Sequence, residues 1–168
     1  SEKLTWAITD GNIGGAFVIT PSTGRISVAA ALDHETVASY LLTVAVVDKG
    51  GLQGTAALTV TVGDVNEAPV VGSGRLGVAE NSVENTPVGS PLAVSDPDQG
   101  ASHTFAIIGG NSLGMFKMVG SAVVLAQSSP AALNYEAVPN TFALTVKVTD
   151  NGGLSSTSVQ TVVVEDVN

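Results

Sequence analysis

The sequence predicts an all-β fold, with antiparallel β-sandwich modules in tandem. Three observations carry this prediction. Apolar residues alternate with period two through nearly every segment. Gly, Pro, Asn and Asp break these runs after roughly 8–12 residues, the spacing of turns between short strands. The two halves of the chain also repeat one another at an offset of about 102 residues, the size of one sandwich module.

The elements follow in order. Trp6-Ala7-Ile8, with Gly11-Asn12 and then Phe17, opens the first half. Leu42, Val44 and Val46 then alternate with Thr43, Ala45 and Val47, and Leu58, Val60 and Val62 alternate with Thr59, Thr61 and Gly63. The second half matches: Phe105-Ala106-Ile107, Gly110-Asn111 and Phe116, then Leu144, Val146 and Val148. Trp6, Phe17, Phe105 and Phe116 fall at matched places and are expected to pack between the sheets. Ser128 to Val138 is less regular and allows a short helical turn, and no long helix is expected. The long stretch from Ala68 to Phe105 has only Ser1 to Thr5 as its counterpart. The expected division is therefore 1–67 for a first repeat lacking its opening strands and 68–168 for a second repeat, complete up to the next linker. The open sheet edge of the first repeat needs a neighbour or stays partly mobile.

Composition narrows the function. Of 168 residues, 44% are hydrophobic and only 12% charged, so the chain buries a core. The net charge of −9 disfavours nucleic acid or an anionic membrane as partner, since either requires a basic face. With no Cys, disulfides, thiolate metal sites and a Cys nucleophile are excluded. No apolar run is long enough to span a bilayer, no signal peptide is evident, and the start at Ser1 reads as a piece of something longer.

The feature that points to function is a repeated acidic phrase. Asp64-Val65-Asn66-Glu67 returns as Asp166-Val167-Asn168, each following an Asp-x-Gly-Gly-Leu turn at Asp48–Leu52 and Asp150–Leu154. Carboxylate and amide oxygens at a module boundary suit a hard cation. Calcium takes 6–8 oxygen ligands and tolerates irregular geometry. Asp33/Glu35 and Asp96/Asp98 are i, i+2 pairs that can project the same way from an extended segment. No His or Cys joins these groups in the sequence, which argues against zinc or copper. His34 is expected to face away and His103 to be a solvated loop residue. Asp96-x-Asp98-x-Gly100 opens like a calcium-binding EF-hand loop, but Ile107 stands where the closing Glu belongs, so that reading is rejected.

Taken together these motifs resemble cadherin repeats. The matching residues are Leu32-Asp33-x-Glu35 (the family's LDRE), Val47-Asp48-x-Gly50, and Asp64-Val65-Asn66-Glu67-Ala68-Pro69 (its DxNDNxP linker). In the second half they are Ala79-Glu80-Asn81, Asp96-Pro97-Asp98, Leu133-Asn134-Tyr135-Glu136, Val148-Thr149-Asp150 and Asp166-Val167-Asn168. The resemblance implies seven-stranded Greek-key sandwiches of the cadherin and immunoglobulin kind, outside the cell, with Ca2+ at each junction. It implies one ligand set made of Asp33, Glu35, Asp64, the Val65 carbonyl, Asn66, Glu67, the Ala68 carbonyl, Asp96, Asp98 and Asp150. Glu80, Glu136, Asp166 and Asn168 would belong to the next junction, and Asp48 to the previous one. Glu67 departs from the family's Asp, Asn134 replaces the Asp of LDRE, and the first repeat has no counterpart of Glu80. The ion held by Asn66, Asp96, Asp98 and Asp150 is expected to be the most nearly complete.

The expected function is calcium-dependent stiffening and spacing within a larger cell-surface adhesion protein, partnered by calcium ions and neighbouring repeats of the same chain. Homophilic, protein and glycan partners stay open. The alternative is a carbohydrate- or protein-recognition sandwich of a secreted multidomain protein. Catalysis is not expected: the paired carboxylates sit at repeat boundaries, and neither G-x-S-x-G nor a phosphate loop is present. Few Lys and Arg, no N-x-[ST] acceptor and the Glu-Ala-Pro linker point towards a bacterial-type surface adhesin.

Overall fold

Five strands make up the first half: β1 (Thr5–Asp10), β2 (Phe17–Ile19), β3 (Ile26–Val28), β4 (Ser39–Val47) and β5 (Gln53–Thr61). The computed structural model describes residues 3–127, 133–136 and 139–167. Most of the irregular stretch from Ser128 to Val138 therefore lies outside the described residues. The chain divides into two compact units, Ser1–Val65 and Asn66–Asn168.

In the first unit β4 is central, with β1 and β5 antiparallel on either side and β2 paired with β3 in a separate ladder. Period two places Tyr40, Leu42 and Val44 on one face of β4, and all three are buried. With Ala16, Phe17 and Val62, Tyr40 and Leu42 form the core, and Phe17 meets Tyr40 edge-on at a centroid distance of 5.0 Å. β5 keeps the alternation of its sequence but not the burial. Leu58, directly opposite buried Leu42, is 42% exposed. A strand pattern fixes which way a residue points; burial also needs a second layer, and here that layer holds only the short β2–β3 pair.

The second unit contains β6 (Val70–Val71), β7 (Gly74–Ala79), β8 (Val94–Ser95), β9 (His103–Gly109), β10 (Phe116–Val119), β11 (Ala122–Leu125), β12 (Thr141–Asp150) and β13 (Ser155–Glu165). One sheet runs β7-β13-β12-β9, with β7 parallel to β13 and the other pairs antiparallel. The opposing layer holds the β6–β8 and β10–β11 ladders. The segment leading into β8 lies beside β11 through Val88 N–H to Val123 O, 2.9 Å, and a bridge from Pro87 to Val124. β6 and β7 are two pieces of one opening strand that changes sheets at Gly72-Ser73-Gly74, which makes seven strands in a Greek-key sandwich. Leu76, Val78, Val88, Leu144, Val162 and Val164 fill the space between the layers. Each such Leu or Val contributes on the order of 1.5–3 kcal/mol.

Strand for strand, β9, β10, β11, β12 and β13 repeat β1 to β5. Among the described residues, the first unit has no counterpart of β6, β7 or β8. The local devices recur as well. Asn12 bridges both backbone groups of Phe17, at 2.8 and 2.9 Å, and Asn111 does the same for Phe116, at 2.7 and 3.1 Å. Gly11 and Gly110 have φ of 76° and 77°, and a Cβ on either would strike the carbonyl of Leu41 or Ala143 on the central strand. Phe116 meets Phe142 edge-on, as Phe17 meets Tyr40. The expectation for the aromatics needs one correction. Phe17 and Phe116 are core residues, whereas Trp6 and Phe105 are half-buried and belong to neither core cluster.

Candidate metal centre

Acidic groups gather at three places, each built by a turn or by the segment flanking a strand. In the first unit the Leu32–Val37 turn supplies two of them. Asp33 accepts hydrogen bonds from the Thr36 N–H (3.1 Å) and hydroxyl (2.9 Å), and the Val37 N–H bonds the Asp33 carbonyl (2.9 Å). The Thr36 hydroxyl, followed by its N–H, holds the Asp33 carboxyl below its ordinary value. Glu35 lies next to Asp64, which follows β5, and to His34, with ligand atoms of all three within 4.8 Å of one another. His34 does not face away: its Nδ1 sits 2.9 Å from the Val62 carbonyl. The expectation that no histidine joins an acidic group is overturned here, because the turn rotates the ring back over the end of β5.

The second unit gathers Asn66, Glu67, Asp96, Asp98 and Asp150. The Asn66 side-chain amide donates to Asp150 at 3.0 Å. The Glu67 N–H donates to Asp98 at 2.9 Å, and the Asp98 N–H to Asp96 at 3.1 Å. Asp150 closes the β12–β13 hairpin, accepting from the Leu154 N–H at 2.9 Å, as Asp48 does with Leu52. It is 6% exposed. Burial pushes its carboxyl up, but the Asn66 amide and the N–H groups of Leu154, Gly153 and Gly152 outweigh that, so the net shift is downward. Gly152 is required here for space, since a Cβ would overlap the Asn66 side chain. Val65 and Ala68, enlisted through their carbonyls, are exposed.

His103 is the residue that sequence reasoning missed. It opens β9 directly opposite Asp150, and its Nε2 lies 2.6 Å from Asp96. The matching of Phe105 to Trp6 was the available signal: it places His103 at the mouth of a strand and not in a free loop. Among the described residues no Lys or Arg pairs with Asp96, Asp98 or Asp150, and Asp96 pairs with His103. Carboxylates grouped without a Lys or Arg partner fit a hard, oxygen-preferring cation.

The third group is Glu80, Glu136 and Asp166, within 4.8 Å of one another. The N–H groups of Val167 and Tyr135, each 3.1 Å away, hold the Glu80 carboxyl below its ordinary value. Asn168, expected with them, lies outside the described residues.

The cadherin domain model matches residues 1–63. Human protocadherin Fat 1 is 35% identical over 161 residues, covering 90% of this chain. The chain belongs to the cadherin-repeat family. The Drosophila protocadherin-like wing polarity protein stan is 32% identical across 99% of the chain. Among solved structures, human protocadherin-24 EC1-2 (Form II) superposes with a TM-score of 0.79 at 26% identity, covering 99% of this chain and 83% of that one. Mouse cadherin-23 EC22-24 gives 0.74 at 27% identity, over 98% and 53%. The chain spans only 3% of the length of Fat 1 and 5% of stan. These are extracellular, cell-surface repeats of the adhesion type.

Proposed function

We propose that the chain is a pair of calcium-binding cadherin repeats that stiffen and space a larger cell-surface adhesion protein and carry no catalysis of their own. The repeats would divide as 1–67 and 68–168. One observation carries the reading: Asp96, Asp98 and Asp150 are drawn together in the second unit with Asn66 and Glu67, and no Lys or Arg neutralises the three aspartates. Asp33, Glu35 and Asp64 of the first unit, and the Val65 and Ala68 carbonyls, are proposed as further calcium ligands. Glu80, Glu136 and Asp166 would begin the next one.

The chain's own residues do most of the work. Asn66 and the hairpin N–H groups keep Asp150 ionised, and the Glu67 N–H orients Asp98, so the carboxylates are placed before any cation arrives. Left to themselves, these like charges repel and loosen the segments that carry them. Bound calcium supplies the positive charge that cancels the repulsion and the coordination that ties the segments together.

Calorimetric titration in chelator-stripped buffer tests this. Calcium is expected to release binding heat and raise the melting temperature, and Asp98→Asn is expected to weaken both at least about tenfold in affinity. Absence of calcium heat, with an unchanged melting temperature, would refute the proposal.

A further inference from the structure

Asp96 is carried on little support of its own. It follows β8, a strand of two residues in the layer opposite the β7-β13-β12-β9 sheet. Its side chain is nevertheless only 5% exposed. A carboxylate so far removed from water has to be held by donors. The Asp98 N–H reaches its Oδ1 at 3.1 Å, and His103 Nε2 lies 2.6 Å from its Oδ2.

The two donors differ in what they are fixed to. Asp98 belongs to the same short turn as Asp96 and moves with it. His103 stands on the opposite sheet, where it opens β9 across from Asp150. Its neighbours are tied to the end of β12 and the turn after it. The Ser102 N–H donates to the Asn151 side chain at 3.0 Å, and the Thr104 hydroxyl donates to the Thr149 carbonyl at 3.3 Å. The ring therefore reaches from an anchored strand across to Asp96 and ties the β8 layer to the sheet that carries Asp150. A carboxylate oxygen has no proton to give, so the hydrogen of this contact is on Nε2. Each carboxylate oxygen offers two lone pairs. Asp98 and His103 take one on each, which leaves one on each for a cation.

We infer that His103 is a positioning residue for the calcium group of the second unit: it donates to Asp96 Oδ2 and holds that carboxylate in a ligating orientation, without ligating itself. The inference rests on the calcium reading above. Because Nε2 is occupied by its hydrogen, the ring adds no nitrogen ligand there, and the donors left to the cation are oxygens, as calcium prefers. Hydrogen-bond partners of ligating groups account for about ten- to hundredfold of metal affinity.

The test is calorimetric calcium titration of the full chain and two variants, in chelator-stripped buffer at one pH, with the histidine ring nitrogens followed by NMR. His103→Phe keeps a ring of similar reach but has no donor, and is expected to lower calcium affinity about tenfold or more. His103→Gln returns an N–H at comparable reach and is expected to recover most of that loss. In the calcium-free parent, Nε2 of His103 is expected to carry its hydrogen. Parent-like affinity in His103→Phe overturns the inference and leaves the calcium reading intact. Equal losses in both variants overturn it too, because the ring would then act in some way other than as a donor. If His103→Phe does not fold, the ring spectrum of the parent decides, and a bare Nε2 overturns the inference. A parent without calcium heat refutes the calcium reading itself, and the inference with it.

Discussion

Asp150 shows how one side chain can be both turn former and site residue. Its Oδ1 closes the β12–β13 hairpin through the Leu154 N–H, and its Oδ2 accepts from Asn66. The turn role was legible in the Asp-x-Gly-Gly-Leu signature. The conjunction with Asn66 was legible only through family resemblance, because it joins residues far apart in sequence. The two contacts set a pH dependence. A carboxyl held below its ordinary value of 3.8 contributes stability that is present above that value and is lost as pH falls through the lowered one. Burial alone would push Asp150 the other way, so removing a donor raises its pKa in the folded state. In the presence of chelator, Asn66→Ala is expected to move the acid-unfolding midpoint of the second repeat to higher pH, followed by far-UV circular dichroism. An unchanged midpoint would show that Asn66 does not hold Asp150.

At the scale of elements, alternation revealed the strands but not the sheets. The runs through Leu42, Leu58 and Leu144 all read alike, yet Leu144 is fully buried and Leu58 is not, because the opposing layer differs. Nor did alternation explain Gln160. It occupies an inward position of β13, in line with Val162 and Val164, and is 1% exposed. Its amide donates to the Gly72 carbonyl at 2.7 Å and to the Ser158 hydroxyl at 2.9 Å. Gly72 is where the opening strand leaves β6 to begin β7, and a carbonyl turned inward at such a break needs a donor. A buried polar residue in an apolar row therefore marks a strand that changes sheets. Gln160→Leu keeps the volume and removes the donor, so it is expected to destabilise the second repeat by about 1–2 kcal/mol. Hydrogen exchange should quicken first in β7. A variant as stable as the parent would show that the strand break holds itself.

For the whole molecule, the question is whether calcium acts as a ligand or only as ionic strength. The net charge of −9 means that any salt relieves some repulsion. Screening is indifferent to ion size, whereas a site is not. Magnesium is smaller, requires near-ideal octahedral geometry and dehydrates reluctantly, so irregular groups of carboxylate, amide and carbonyl oxygens discriminate against it. The two units also give separable signals, since Trp6, the only tryptophan, lies in the first. At matched ionic strength, calcium is expected to raise the melting temperature well above the value in magnesium or sodium chloride. The increase should grow with the logarithm of free calcium once the site is saturated, as binding linkage requires. Asp98→Asn should abolish most of this calcium-specific increase while keeping the small response to sodium. Equal increases in all three salts would mean that the acidic phrases are only a source of repulsion. A calcium-specific increase seen in circular dichroism but absent from Trp6 fluorescence would confine the ligands to the second repeat and remove Asp33, Glu35 and Asp64 from the set.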